Sequence, residues 1–137
     1  MARNLGRCAL GVVLLAVSTG VPASAEDFYK GKTINLVTGF TAGGNYDLYA
    51  RLLAEFIGKH IPGNPTVVVQ NMPGAATLTA ANHVNNNAPR DGTTLGAIHN
   101  FMAFDPLFEG ANYEAQFDPR KFVWIGSVTT AVSEAID

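Results

Sequence analysis

An α/β fold built on a parallel sheet is predicted by three observations. Apolar runs of strand length recur at 33–40, 66–70 and 93–98. Segments of helical pattern, 48–57 and 77–87, lie between them. Each strand run closes on a turn of small or polar residues. A β-α-β-α-β alternation needs a crossover at every step, which makes neighbouring strands parallel and the connections right-handed.

The first run carries Ile34, Leu36, Val37 and Phe40, a nearly continuous apolar stretch that fits a strand buried on both faces. It ends at Gly43-Gly44, and a helix follows. Leu48, Leu52, Leu53, Phe56 and Ile57 fall on one helix face, while Asp47, Arg51, Glu55 and Lys59 alternate in sign one turn apart on another. Gly58, Pro62 and Gly63 stop that helix. The second strand has three consecutive valines, Val67 to Val69, and turns at Asn71-Met72-Pro73-Gly74-Ala75-Ala76. The second helix has a weaker pattern, a polar end at Asn85-Asn86-Asn87, and a stop at Pro89. Arg90-Asp91-Gly92 is a turn into the third strand. Beyond Asn100 the pattern loosens. Phe117-Asp118-Pro119 is expected to be a turn and 122–125 a fourth strand ended by Gly126.

Residues 1–25 have the layout of a secretory signal peptide: Arg3 and Arg7, an apolar run from Cys8 to Val17, and Ala23-Ser24-Ala25 at the cleavage site. The apolar run is too short to span a bilayer, and Cys8 precedes it, unlike a lipoprotein cysteine. Cleavage leaves Glu26 as the first residue and places residues 26–137 in the periplasm as one small domain with no membrane insertion. Cys8 is the only cysteine, so the mature chain has no disulfide and no thiolate site. The formal charge of −2 becomes more negative once Arg3 and Arg7 are removed. No basic run or face is present to attract nucleic acid.

Three motifs resemble the periplasmic substrate-binding receptors of tripartite tricarboxylate transporters, the Bug-type receptors. They are Gly39-Phe40-Thr41-Ala42-Gly43-Gly44-Asn45-Tyr46-Asp47, Val69-Gln70-Asn71-Met72-Pro73-Gly74-Ala75, and Ala88-Pro89-Arg90-Asp91-Gly92-Thr93-Thr94-Leu95. Their order and spacing behind a leader make the resemblance specific, and it runs from about residue 27 to 127. Two departures stand out: Thr41 occupies a position often held by proline, and Ala76-Thr77 one where a small residue, often glycine, is usual. The resemblance implies a periplasmic-binding-protein-like, type II-like fold. Such receptors have two α/β domains that close on the ligand. The chain corresponds to the N-terminal part of the first domain, and its polar ending suits a fragment or an inactive remnant.

The resemblance also implies a function and a site. A receptor of this kind captures a small organic acid and delivers it to the membrane subunits of its transporter, with no cofactor and no catalysis. Its first loop holds one end of the acid, partly through ordered water, at the positions of Phe40, Ala42, Gly43 and Gly44. The residues alone point the same way, because a glycine turn before a helix directs backbone N–H groups outward at the positive end of the dipole. Asp47 admits two roles: a first-turn residue satisfying local amides, or a direct contact to a ligand carrying an ammonium group. Pro73, Gly74 and Ala75 at the second strand end, and His99 and Asn100 at the third, complete the expected ligand-binding set. Tyr46 beside the glycine turn suits either the cleft or the surface.

The rival function is a small flavodoxin-like enzyme or nucleotide-binding domain using the same turn. It needs a catalytic set or phosphate loop, and no nucleophile elbow, Gly-x-x-x-x-Gly-Lys or Gly-x-Gly-x-x-Gly occurs. His60, His83 and His99 lack metal-ligand spacing.

Overall fold

The computed structural model describes residues 28–104, 107 and 115–127. The expected leader lies outside the described residues, as does the polar ending. Three strands form one parallel sheet: β1 (Thr33–Thr38), β2 (Thr66–Asn71) and β3 (Thr94–Ala97), in the order β2-β1-β3. Two helices connect them, α1 (Asn45–Ile57) and α2 (Leu78–Asn86). Thr38 pairs with Asn71 on one side and with Ala97 on the other, so the carboxyl ends of all three strands finish level.

The strand order follows from the connections. From β1 the chain steps one way to β2, then crosses back over β1 to reach β3. With right-handed crossovers, these opposite steps send α1 and α2 to opposite faces of the sheet. Accordingly α1 packs on β1 and β2, and α2 on β1 and β3. The central strand is the apolar one. Ile34, Leu36, Val37 and Thr38 are buried, although Asn35 is exposed, so burial on both faces holds for the second half of β1 only. A second apolar cluster joins α2 to later chain: Leu78, Ala81, Met102 and Phe117, with Ile98, Ala115 and Phe122 against it.

The helix α1 uses a different face from the apolar stripe in its sequence. Asp47 and Ala50 are its buried residues, Leu53, Ala54 and Ile57 are half-buried, and Leu48, Leu52 and Phe56 are exposed. Two causes set this rotation. Alanines at 50 and 54 let the helix lie close to the sheet, and Asp47 is drawn inward by its hydrogen bonds.

The expected fourth strand at 122–125 does not form. Val123 and Ile125 are 90% and 77% exposed, with no ladder partner among the described residues. Aromatic contacts hold this segment instead. Phe122 stacks on Phe117 at 5.4 Å, and Trp124 packs edge-on to Phe122 and donates its indole N–H to the Pro119 carbonyl at 2.9 Å. The polar end of α2 has a structural task. The Asn82 side chain accepts from Gln116 N–H at 2.8 Å, and Asn86 donates to the Gln116 carbonyl at 2.9 Å, so side chains satisfy a backbone that no strand pairs. The Asp91 turn is as expected: its carboxylate accepts from the Thr93 N–H at 3.0 Å and the Thr93 hydroxyl at 2.6 Å.

Candidate functional site

Three loops meet at the carboxyl ends of the strands: 39–44 after β1, 72–77 after β2, and 98–100 after β3. In open α/β sheets ligands bind where the winding direction reverses, here between the exits of β1 and β3.

The first loop is organised around Asp47. Its carboxylate is almost fully buried and accepts three hydrogen bonds, from Gly43 N–H at 2.8 Å, Arg51 Nε at 2.8 Å and Asn71 Nδ2 at 2.7 Å. Asn71 also donates to the Phe40 carbonyl at 3.0 Å and accepts from the Arg51 guanidinium at 3.1 Å. Bonds from Arg51, then Asn71, then Gly43 stabilise the charged form and hold the Asp47 carboxyl at about 2, below its ordinary 3.8. All three bonds to Asp47 come from groups of the chain itself, in the first loop, on α1 and on β2.

The two glycines behave differently from each other. Gly43 has φ +83°, a conformation that favours glycine, whereas Gly44 is extended at φ −80°, ψ 167°. Both amides are engaged, Gly43 with Asp47 and Gly44 with the Thr41 carbonyl at 3.3 Å. The expectation that these two N–H groups stand free is therefore corrected. The open donors lie one step further on. Gly44 caps α1 without a side-chain hydrogen bond, and the amides of Asn45, Tyr46 and Asp47 have no acceptor among the described residues. These are the first-turn donors that every α-helix leaves unpaired, at the positive end of its dipole.

The second loop has an unusual backbone. Ala75, Ala76 and Thr77 have φ of 44°, 50° and 79°, a left-handed turn made without glycine just before α2. Pro73, Gly74 and Ala75 are exposed, and Thr77 is buried. Thr77 lies over Gly39, and its hydroxyl accepts from His99 N–H at 3.1 Å, which ties the second loop to the third. Left-handed backbone costs a non-glycine residue roughly 1–2 kcal/mol, and glycine recovers this less its own entropy. Ala76→Gly is expected to stabilise the fold by about 0.5–1 kcal/mol, measured by urea unfolding. An unchanged or lower midpoint would show that the turn is not strained at Ala76.

In the third loop His99 is half-buried and Asn100 exposed. The His99 Nδ1 accepts from Phe101 N–H at 3.2 Å, leaving Nε2 as the donor. Phe40 stacks on exposed Tyr46 with ring centroids 4.3 Å apart. The structure thus links the loops through Asp47–Asn71 and Thr77–His99, and leaves Ala42, Gly44, Pro73, Gly74, Ala75 and Asn100 exposed around them. Three residues of this network were absent from the expected set. Asn71 sits inside a recognised motif, and Arg51 stands one turn from Asp47, so both had a sequence signal. Thr77 had none beyond its departure from the family pattern. Among the described residues no group of three His, Cys, Asp or Glu is placed to hold a metal, and no helix is long and apolar enough to cross a membrane.

Comparison with known proteins finds three similar sequences. A UPF0065 protein in gbd 5'region of Cupriavidus necator is 42% identical over 79 residues, 57% of this chain and 23% of the relative. A UPF0065 protein of Bordetella bronchiseptica is 33% identical over 110 residues, 80% of this chain and 32% of the relative. Protein BugT of Bordetella pertussis is 34% identical over 86 residues, 63% of this chain and 25% of the relative. The chain thus spans 23–32% of the length of these UPF0065 and Bug relatives. No protein-family model and no solved structure matches it.

Proposed function

We propose that this chain is the N-terminal part of a Bug-type periplasmic solute-binding receptor. Behind a cleaved leader, it would contribute one wall of a two-domain, periplasmic-binding-protein-like site. The ligand is a small organic acid, handed on to the membrane subunits of a tripartite tricarboxylate-type transporter. The observation that carries the reading is the uncapped start of α1, with three open amides beside the winding reversal. A carboxylate placed there completes those donors with charge-assisted hydrogen bonds and meets the positive helix end. Phe40, Ala42, Gly43 and Gly44 shape this approach, and Asp47 with Asn71 and Arg51 positions it. Pro73, Gly74, Ala75, His99 and Asn100 border the same space. Similarity to BugT and the UPF0065 proteins supports the receptor class over a catalytic one.

The binding wall offered by this chain is open, since Ala42, Gly43 and Gly44 are exposed. A ligand there stays wet, so each polar contact competes with water. Succinate is therefore expected to bind no tighter than about millimolar, which is about −4 kcal/mol. Titration followed by amide NMR should move the signals of Asn45, Tyr46 and Asp47. Gly44→Val should abolish these shifts by covering the amides. The fold should survive, because the nearest atom to an added Cβ is the Thr41 carbonyl oxygen at 3.4 Å. Equal shifts in the variant, or shifts located elsewhere, would refute this loop as the carboxylate site.

A further inference from the structure

The helix α1 turns an apolar stripe away from its own sheet. Leu48, Leu52 and Phe56 recur every four residues and are 67%, 53% and 47% exposed. Tyr49 lies beside them and is also exposed. The other side of the helix meets β1 and β2, through buried Asp47 and Ala50. Scattered surface leucines need no explanation, but four large apolar side chains on one helix face form a patch. At about 3.6 residues per turn, Tyr49 and Phe56 make one edge of the stripe, and Arg51 and Glu55 make the other.

This pattern is symmetric about Leu52. Laid antiparallel on a second α1, with a two-fold axis at Leu52, that leucine meets its own counterpart. Leu48 of each copy meets Phe56 of the other, and on the aromatic edge Tyr49 meets Phe56. On the charged edge Arg51 meets Glu55, so opposite charges face each other. Every contact is made twice, as a two-fold interface requires. Lys59 falls opposite Asn45, which carries no charge. Arg51 can serve both partners: half of its side chain is exposed while it bonds Asp47 and Asn71, and its five donors exceed those two bonds. A parallel pairing would set Arg51 on Arg51 and Glu55 on Glu55, so like charges exclude it. The two charges of the edge cancel, which leaves no net field to draw a strongly charged partner.

We propose that the apolar stripe of α1 docks on the same stripe of a second copy of this chain, as an antiparallel helix pair centred on Leu52. One helix against one helix buries less than about 1,200 Å² in total, the size class of weak and transient association. The expected behaviour is therefore a monomer–dimer equilibrium that follows concentration.

Sedimentation equilibrium of the full chain, from about 10 μM to about 1 mM, tests this. The mean mass should rise from one copy toward two. Leu52→Glu sets two carboxylates against each other on the axis and should weaken the dimer about tenfold or more. Leu52 is exposed, so the urea midpoint should stay that of the parent. Leu48→Glu and Phe56→Lys should each weaken the dimer about tenfold, and the double variant should regain most of the loss. Only an antiparallel register gives that rescue, because residues 48 and 56 of one helix stand about 12 Å apart. A parent that stays monomeric at every concentration would overturn the proposal. A dimer that survives Leu52→Glu would assign the contact to another surface and overturn it equally. A double variant no better than either single one would rule out the antiparallel pairing.

Discussion

Gly39→Ala is expected to destabilise the protein by about 3 kcal/mol, the upper range for overpacking a filled site. An added Cβ at Gly39 would stand 2.4 Å from Thr77 Cβ and 2.8 Å from Thr77 Cα. These atoms are not the free end of a flexible side chain. Thr77 is held by its own left-handed backbone, by burial and by the hydrogen bond from His99 N–H. Gly39 cannot retreat either, because its N–H donates to the Ala97 carbonyl at 3.1 Å and extends the ladder to β3. The methyl group must therefore push the second loop off the sheet or open the end of the ladder. Urea unfolding measures the loss, and the double variant Gly39→Ala, Thr77→Gly should recover part of it, since it removes the Thr77 Cβ and Cγ2 contacts and keeps the one with Cα. A Gly39→Ala protein within about 0.5 kcal/mol of the parent would show that the loop yields freely.

Asp47→Asn is expected to weaken the fold in a manner that depends on pH. The substitution keeps the shape but replaces one carboxylate oxygen by an NH2 group facing donors, so Gly43 N–H, Arg51 or Asn71 loses its acceptor. The native carboxyl titrates near 2 and the unfolded one near 3.8, so in that interval the unfolded chain binds more protons. The stability that Asp47 contributes is then complete above the unfolded value and drains away as pH falls toward the folded value. The gap in urea midpoint between parent and Asp47→Asn should be widest at about pH 5 and should narrow by about pH 2.5. Other carboxylates with lowered values, Asp91 and Asp118, are common to both proteins and cancel in the difference. A gap independent of pH would mean that Asp47 is not the charged acceptor of this network.

Both variants probe long-range contacts, and such contacts separate what is local from what is not. Asn71 reaches Asp47 across 24 residues, and Thr77 reaches His99 across 22. The apolar stripe Leu48, Leu52, Leu53, Phe56, Ile57 identified a helix correctly, because a 3.6-residue period depends only on neighbours along the chain. It did not identify the face turned inward. Two alanines and one hydrogen-bonded aspartate chose that, through partners on β1 and β2. The run at 122–125 had the composition of a strand, yet a strand also needs an edge to pair with, and composition carries no record of one.

The sequence by itself determined three strands and two helices, their α/β alternation, and the turns at Gly43 and Asp91, because each follows from spacing or from the steric nature of single residues. Only the tertiary structure decided that β1 is central, that the Gly43 and Gly44 amides are taken while those of Asn45, Tyr46 and Asp47 stay open, and that Ala75 to Thr77 turn left-handed. The physical reason is the same in each case. A donor is free or engaged, and a strained backbone is held or released, according to groups that meet only once the chain has folded.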